Sequence, residues 1–196
     1  MKILVPVDFN PLATAALEYA CEVALRASAT LIVMYADTFE PAVGLPVLQM
    51  PALATAIEES RAKTAEELAE YVNEYVDETL EMHTEVREAL PVPAILAAIG
   101  EHQPDLVVMG THGRGGLTRL LFGSVTEAVL RETKVPVLTI NRIDAVVPPR
   151  TVYGAHAIAD LFQPQRVADM ARADLIVATA ADRDLTRHAR APVLHV

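Results

Sequence analysis

Hydrophobic residues along the first 142 positions fall into two alternating patterns. Runs of consecutive aliphatic residues, typical of strands buried on both faces, occupy residues 2–7, 30–36, 105–109 and 135–140. Apolar residues spaced three and four apart predict helices over residues 12–27, 53–80, 93–101 and 124–132. Residues 81–90 alternate like a half-buried strand. This succession predicts an α/β fold with a doubly wound, parallel five-stranded sheet.

Polar residues and glycine follow several of the predicted strands. Ligands of a doubly wound sheet bind beyond the carboxyl ends of the strands, where the winding reverses. Asp8 follows the first strand, and Gly110 follows the strand at residues 105–109. We expect them to face one crevice. Asn10 is placed to cap the first helix, whose first turn accepts Pro11.

The C-terminal residues repeat part of the earlier pattern. Residues 173–178 resemble residues 104–109, and residues 191–196 resemble residues 135–140. The first pair of runs is separated by 25 residues and the second by 12. We interpret the chain as a complete unit at residues 1–142, a linker at 143–150, and a degenerate, loopless half-repeat at 151–196 without a first strand. A chance match of two aliphatic runs is the alternative.

Composition and charge narrow the function. Hydrophobic residues make up 52% of the chain and charged residues 21%, which is typical of a globular protein. The formal net charge of −10 opposes attraction to nucleic acids and anionic membranes. No apolar run approaches the ~20 residues of a membrane span. Any bound phosphate must therefore be held by local donors.

Cys21 is the single cysteine of the chain. It can form no intramolecular disulfide, which suits a reducing cytoplasm, and the apolar run at the N-terminus is too short for a signal peptide. We expect Cys21 to be a small buried hydrophobe rather than a reactive thiol, and the protein to be cytoplasmic.

Residues 110–123, the glycine segment, contain five glycines between a strand and a helix. Glycines let backbone N–H groups approach a phosphate closely. Ser124 is placed to cap the following helix, and the N–H groups of Val125 and Thr126 at its N-terminus favour an anion. The alternative is a flexible surface loop.

Two common phosphate motifs are excluded by spacing. No Gly-Lys-Ser or Gly-Lys-Thr occurs, and no Gly-x-Gly-x-x-Gly follows the first strand. His112 and Arg114 invite catalytic roles, but no carboxylate partner for His112 is identifiable, so we interpret both as loop side chains that touch phosphate. The other histidines show no metal-ligand spacing. We therefore assign no catalytic residue and no metal site.

The spacing that is present is specific. Gly110, two residues, Gly113, nine residues and Gly123-Ser124 resemble the signature of the ATP-binding universal stress protein family. The resemblance extends over residues 1–142, from the opening Ile-Leu-Val-Pro-Val-Asp-Phe to the closing Val-Pro-Val-Leu-Thr-Ile. It implies a Rossmann-like, nucleotide-binding form of the predicted sheet.

The resemblance also implies roles for individual residues. Asp8 would meet the ribose or adenine end of the nucleotide, and Pro6, Val7 and Tyr35 would line the base pocket. An alternative role for Asp8, compatible with this one, is to cap the helix that begins near Pro11. The residues that would wrap the phosphates are Gly110, His112, Gly113, Gly123, Ser124, Val125 and Thr126. Met109 and Arg114 complete the expected cofactor-binding set.

The function expected on this basis is that of a regulatory stress-response module. Binding of ATP, with Mg²⁺, would be coupled to conformation or association. The alternatives are a slow ATPase or nucleotidyl-transferring enzyme that uses the same crevice, and a relative that no longer binds nucleotide. Family members commonly dimerise through their last strand, here residues 135–140, so we expect either a homodimer or a C-terminal tail that covers this edge.

Overall fold

The computed structural model describes residues 1–38, 51–111, 123–145, 148–153, 156–168, 172–179, 189 and 191–196. Strands and helices alternate through the N-terminal unit (residues 1–142). Its elements are β1 (Lys2–Val7), α1 (Pro11–Ala27), β2 (Thr30–Asp37), α2 (Pro51–Tyr75), β3 (Met82–Glu88), α3 (Pro91–His102), β4 (Leu106–Gly110), α4 (Ser124–Glu132) and β5 (Val137–Ile140).

These five strands form a parallel sheet in the order β3-β2-β1-β4-β5. One face packs against α1 and α2 and the other against α3 and α4, so side chains alternate between two cores along each strand. Leu4 and Val107, for example, belong to the second core, whereas Ile3 and Leu106 belong to the first. The predicted doubly wound α/β fold is confirmed.

Local chemistry sets the helix boundaries. The side-chain oxygen of Asn10 accepts hydrogen bonds from the N–H groups of Leu12 and Ala13, so α1 begins at Pro11, as predicted. It ends where Ser28 adopts a left-handed conformation. On α2 the described side chains of Leu68 and Val72 are buried and most others are exposed, as an amphipathic surface helix requires. None of the helices within the described ranges is long and apolar enough to cross a bilayer.

The C-terminal unit (residues 151–196) extends this sheet. Its elements are β6 (Thr151–Tyr153), α5 (Ala157–Asp160), β7 (Gln165–Arg166), β8 (Leu175–Ala178) and β9 (Val193–His195). The full order is β3-β2-β1-β4-β5-β9-β8-β6-β7, and β9 pairs antiparallel with β5. The tail therefore covers the edge of β5 within one chain. A homodimer through residues 135–140 would require β9 to leave that edge.

The repeated strands pair in the same register in both units. Val107 of β4 lies opposite Val137 of β5, and Ile176 of β8 lies opposite Val193 of β9. The N–H of Val107 donates to the carbonyl of Pro136, and the N–H of Ile176 donates to the carbonyl of Pro192, at 3.0 Å in both cases. The two pairs of aliphatic runs therefore pair in the same register, as the interpretation of a half-repeat expects.

One expectation about the repeat is wrong: the C-terminal unit does have a first strand. Val152 of β6 lies opposite Leu175 of β8, just as Ile3 of β1 lies opposite Leu106 of β4. Strand β7 then pairs with β6 as β2 pairs with β1. The sequence concealed β6 because a strand of three residues presents no aliphatic run, and its position depends on pairing with β8.

The α1 face of the sheet carries one core that runs through both units. Ile140 of β5 and Leu194 of β9 belong to the same buried cluster. The rings of Tyr19 and Phe162 meet edge-on with centroids 5.9 Å apart, and the guanidinium of Arg26 lies 5.6 Å from the Phe162 centroid. The C-terminal unit is therefore packed against the helix that follows β1.

Candidate functional site

The two ends of the glycine segment are joined by a backbone hydrogen bond. The buried Thr111 donates its N–H to the carbonyl of Ile140 at 2.9 Å, and its own carbonyl accepts the N–H of Gly123 at 2.5 Å. Three of the expected binding residues, His112, Gly113 and Arg114, lie outside the described residues. Both ends of the segment are thus held together beyond the carboxyl ends of β4 and β5.

Gly110 is required by close packing. A Cβ on Gly110 would lie 3.1 Å from both the carbonyl carbon and the Cβ of Leu12, in the first turn of α1. The Gly110 carbonyl also accepts the hydroxyl of Thr126 at 2.9 Å. The end of β4 is therefore pressed between the first turns of α1 and α4, where a side chain would force them apart.

The N-terminus of α4 differs from the expected arrangement. Gly123 is the N-cap residue and Ser124 is the first helical residue, so the expectation that Ser124 caps the helix is wrong. Gly123, with φ −58° and ψ 151°, already occupies the cap conformation, and no side chain caps this helix among the described residues. The first-turn N–H groups of Ser124 and Val125 remain suited to an anion. Thr126 commits its hydroxyl to Gly110 and can offer only its backbone.

Asp8 lies at the same edge of the sheet as the glycine segment. Leu4 of β1 is opposite Val107 of β4, which puts Asp8 level with Thr111. The carboxylate of Asp8 is half-buried, and its Oδ1 accepts the side-chain amide of Asn10. Asp8 and Gly110 therefore lie at the same edge of the sheet, as expected for two residues that face a common crevice.

The expected cofactor-binding residues on the strands do not all share one face of the sheet. Val7 is buried in the core beneath α1 and α2, and Tyr35 packs against that same core. Met109 is buried in the opposite core, against α3 and α4. Pro6 is half-buried and lies opposite Met34 in β2. The side chains of Val7 and Met109 therefore point to opposite faces of the sheet.

An aromatic cluster beside Asp8 was missed by the sequence reasoning. Phe9 stacks on Tyr35 with ring centroids 4.8 Å apart and meets Tyr71 of α2 edge-on at 5.0 Å. The Tyr71 hydroxyl lies 2.9 Å from the hydroxyl of Thr14, and burial raises the pKa of Tyr71 to about 12. Tyr71 and Tyr75 are four residues apart on α2, a spacing that marks one helix face. The spacing of these two tyrosines was the one feature of the sequence that could have indicated an aromatic cluster on α2.

Ionised groups elsewhere form a structural network at the β3 edge of the sheet. Burial of Glu85 opposes its ionisation, but hydrogen bonds from Arg87 and His102 outweigh that effect and lower the pKa of Glu85. Arg87 also binds Glu101 at 2.8 Å. Across the part of the chain that the structure describes, no three His, Cys, Asp or Glu side chains are grouped to hold a metal ion.

Comparison with known proteins agrees with this architecture. The model of the universal stress protein family matches residues 1–141. A universal stress protein of Methanocaldococcus jannaschii is 32% identical over 142 residues, which cover 72% of this chain and 82% of the relative. A universal stress protein of Mycobacterium tuberculosis is 34% identical over 144 residues, but the match spans only 45% of that longer relative. The solved structure of the M. jannaschii protein MJ0577 superposes with a TM-score of 0.55 at 22% identity, over 71% of this chain and 94% of that one, and shares the fold.

Proposed function

The chain belongs to the universal stress protein family, and from this premise we propose that its N-terminal unit binds adenine nucleotides, ATP above all. The phosphates lie along the glycine segment and the first turn of α4. Asp8 contacts the ribose or base. Magnesium enters as the counterion of the triphosphate rather than as an ion resident in the protein.

The observation that carries this proposal is the hydrogen bond between Thr111 and Gly123. It closes the base of the glycine segment directly in front of the first turn of α4, which no described side chain caps. A phosphate there meets backbone N–H groups from a glycine-rich loop and from a helix N-terminus. Such donors suit a chain of net charge −10, because they attract an anion without a surrounding basic surface.

We propose a regulatory binding module rather than a phosphoryl-transfer enzyme. Phosphoryl transfer relies on a carboxylate that holds metal and on a positioned base beside the phosphates. Two acidic side chains are described in this region: Asp8 is assigned to the other end of the nucleotide, and Glu127 is exposed in the first turn of α4. We also propose that the protein acts in the cytoplasm. Its single cysteine, the buried Cys21, can form no intramolecular disulfide, which is compatible with a reducing compartment.

Strand β5 connects the glycine segment to the C-terminal unit, so nucleotide binding could be coupled to that unit through a few hydrogen bonds. Thr111 is bonded to Ile140, and the side-chain amide of the next residue, Asn141, donates to the carbonyls of Ala189 and Ala191 at 2.7 and 3.0 Å. A shift of the glycine segment on ATP binding would therefore reach the C-terminal unit through two adjacent residues. We propose that residues 1–142 bind nucleotide, 143–150 link, and 151–196 serve as the intramolecular partner.

Calorimetry with ATP and Mg²⁺ tests the proposal on the full chain. We expect micromolar affinity, about −8 kcal/mol, and excess absorbance at 260 nm if nucleotide co-purifies, because the chain has no Trp. Gly100→Ala, in α3 with open space around its Cα, is the control that should bind equally well. Absence of both heat and co-purified nucleotide in the wild type would refute the proposed function.

A further inference from the structure

We propose that Asn10 is a positioning residue for Asp8, whose carboxylate it orients toward the nucleotide. This inference rests on the proposed function, because the contact between Asp8 and ligand belongs to it. The sequence assigns Asn10 only the capping of α1. The structure gives its side chain a second contact at the opposite end of the amide.

The two ends of the Asn10 amide face different partners. Its Oδ1 accepts hydrogen bonds from the N–H groups of Leu12 at 2.7 Å and Ala13 at 3.0 Å. Because an oxygen must face those donors, the amide nitrogen must point the other way. There it donates to Oδ1 of Asp8, which also lies 3.4 Å from the backbone N–H of Asn10. The cap of α1 thus determines which atom meets Asp8.

The backbone between the two residues is held in an uncommon conformation. Phe9 has φ 61°, in the left-handed region that a bulky residue rarely adopts. This turn brings the amide of Asn10 back over the carboxylate of Asp8. The Phe9 ring is fixed by its stack on Tyr35 and its edge contact with Tyr71. Strained residues of this kind persist where the surrounding structure determines them, and they cluster at ligand sites.

The contact should matter for binding because it fixes Asp8 before the ligand arrives. A carboxylate that accepts a hydrogen bond from a fixed amide loses little rotamer freedom when it meets a ribose or base. Removal of the donor should therefore weaken binding at the ribose and base end and leave the phosphate end unaffected.

Asn10→Asp separates positioning from capping. Aspartate caps a helix as well as asparagine, but its carboxylate has no N–H to offer Asp8 and repels it. We expect the thermal midpoint to fall only modestly, because the cap of α1 is kept and only the contact with Asp8 is lost. Affinity should fall about tenfold for ATP and for adenosine alike, the loss typical of a hydrogen bond to a charged group. Asn10→Ala, which loses cap and donor together, should lose both stability and affinity.

A double-mutant cycle distinguishes positioning from a general disturbance. In the Asp8→Ala background, Asn10→Asp should cause no further loss of adenosine affinity, because the group it acts through is gone. Unchanged affinity of Asn10→Asp, a loss confined to charged ATP, or an undiminished effect without Asp8 would each overturn the inference while the proposed function stands. Wild-type protein that binds neither ATP nor adenosine would overturn both.

Discussion

Leu138 of β5 lies directly opposite Leu194 of β9, and the two leucines occupy the same position in the two copies of the repeat. Both are fully buried. On either side the pairing is reciprocal, since Val137 faces His195 and Thr139 faces Val193. A pseudo-two-fold axis therefore passes between the leucines. The contact has the symmetry of an isologous dimer interface, but both halves belong to one chain.

Truncation after Arg142 should raise self-association. It removes β9 and leaves β5 as an exposed edge, together with apolar surface at Tyr19 and Leu138 that the C-terminal unit now covers. Affinity for ATP should change little, because Asp8 and the glycine segment remain. Light scattering and calorimetry on the truncated protein measure both effects.

The control for truncation is Gln165→Ala on the exposed strand β7, which should leave association unchanged. Leu194→Asp in the full chain should also raise self-association, because it places a charge at the buried contact between Leu138 and Leu194 and so weakens the pairing of β9 with β5. A truncated protein that remains monomeric, or one that loses ATP binding, would contradict this account of the tail.

Gly110→Ala and Gly100→Ala should change stability in opposite directions. The Cβ at position 110 meets the backbone of Leu12 at 3.1 Å, so we expect the free energy of unfolding to fall by about 1–3 kcal/mol. At position 100, inside α3, the Cβ meets nothing within 4 Å, and the free energy of unfolding should rise by about 0.5–1 kcal/mol. Urea denaturation measures both, and a neutral Gly110→Ala would show that α1 and β4 can separate easily.

Tyr19→Phe and Tyr71→Phe each remove one hydroxyl, and the two hydroxyls differ in their hydrogen bonding. The buried hydroxyl of Tyr19 has no hydrogen-bond partner among the described residues, so its removal should be neutral or stabilising by about 1 kcal/mol. The Tyr71 hydroxyl contacts Thr14 at 2.9 Å, and its loss should destabilise the protein by about 1 kcal/mol. Thermal denaturation that ranks the two variants in the reverse order would refute this assignment.

Alkaline unfolding supplies a second readout for Tyr71. Burial raises the pKa of Tyr71 from 10.0 to about 12 in the folded protein. Between these values the unfolded chain releases a proton that the folded chain keeps, so the free energy of unfolding falls as the pH rises. Below pH 10.0 this contribution is fully present. Tyr71→Phe should make the decline between pH 10 and 12 shallower, as urea titrations across that range would show.

Phe9→Gly should be more stable than Phe9→Ala. Both variants lose the ring contacts with Tyr35 and Tyr71, but glycine adopts the left-handed φ of 61° without strain. The difference should be about 1 kcal/mol in the free energy of unfolding. Equal stability would indicate that position 9 relaxes to an ordinary conformation once the ring is removed.

Gly113→Val should abolish ATP binding and leave the fold intact, because a branched side chain blocks the approach of a phosphate to the loop backbone. Ser124→Ala should weaken binding much less, since the N–H groups of the first turn of α4 remain. Calorimetry on both variants, with circular dichroism for the fold, measures this. Wild-type affinity in Gly113→Val would mean that the phosphates lie elsewhere.

The sequence predicted correctly those helices and strands whose hydrophobic pattern is contained within the element itself. β1 and α4 begin and end at the predicted residues, because an aliphatic run or a helical period is a local signal. β6 was missed because its place depends on β8, a partner distant in sequence. The cap of α4 was assigned to Ser124 one residue too late, since a glycine N-cap offers no side chain to recognise.

The candidate site was predictable as a location but not in its contacts. The pattern of strands correctly placed Asp8 and Gly110 at one edge of the sheet, because parallel strands align their carboxyl ends. The second contact of Asn10 could not be inferred, since it depends on the left-handed turn at Phe9. Likewise, the placement of Val7 and Met109 in opposite cores follows from strand register, which the family resemblance did not specify.

The pairing of β5 with β9 is unimolecular, which changes how it responds to the amount of protein. Two separate chains would dissociate on dilution below their dissociation constant, whereas a tether holds the partners at an effective concentration on the order of millimolar. In the proposed division of the chain, residues 143–150 are such a tether. The fraction of molecules in which β5 and β9 are paired is therefore independent of the protein concentration. If nucleotide binding is coupled to this pairing, as proposed, the coupling depends on the nucleotide concentration and not on the amount of protein.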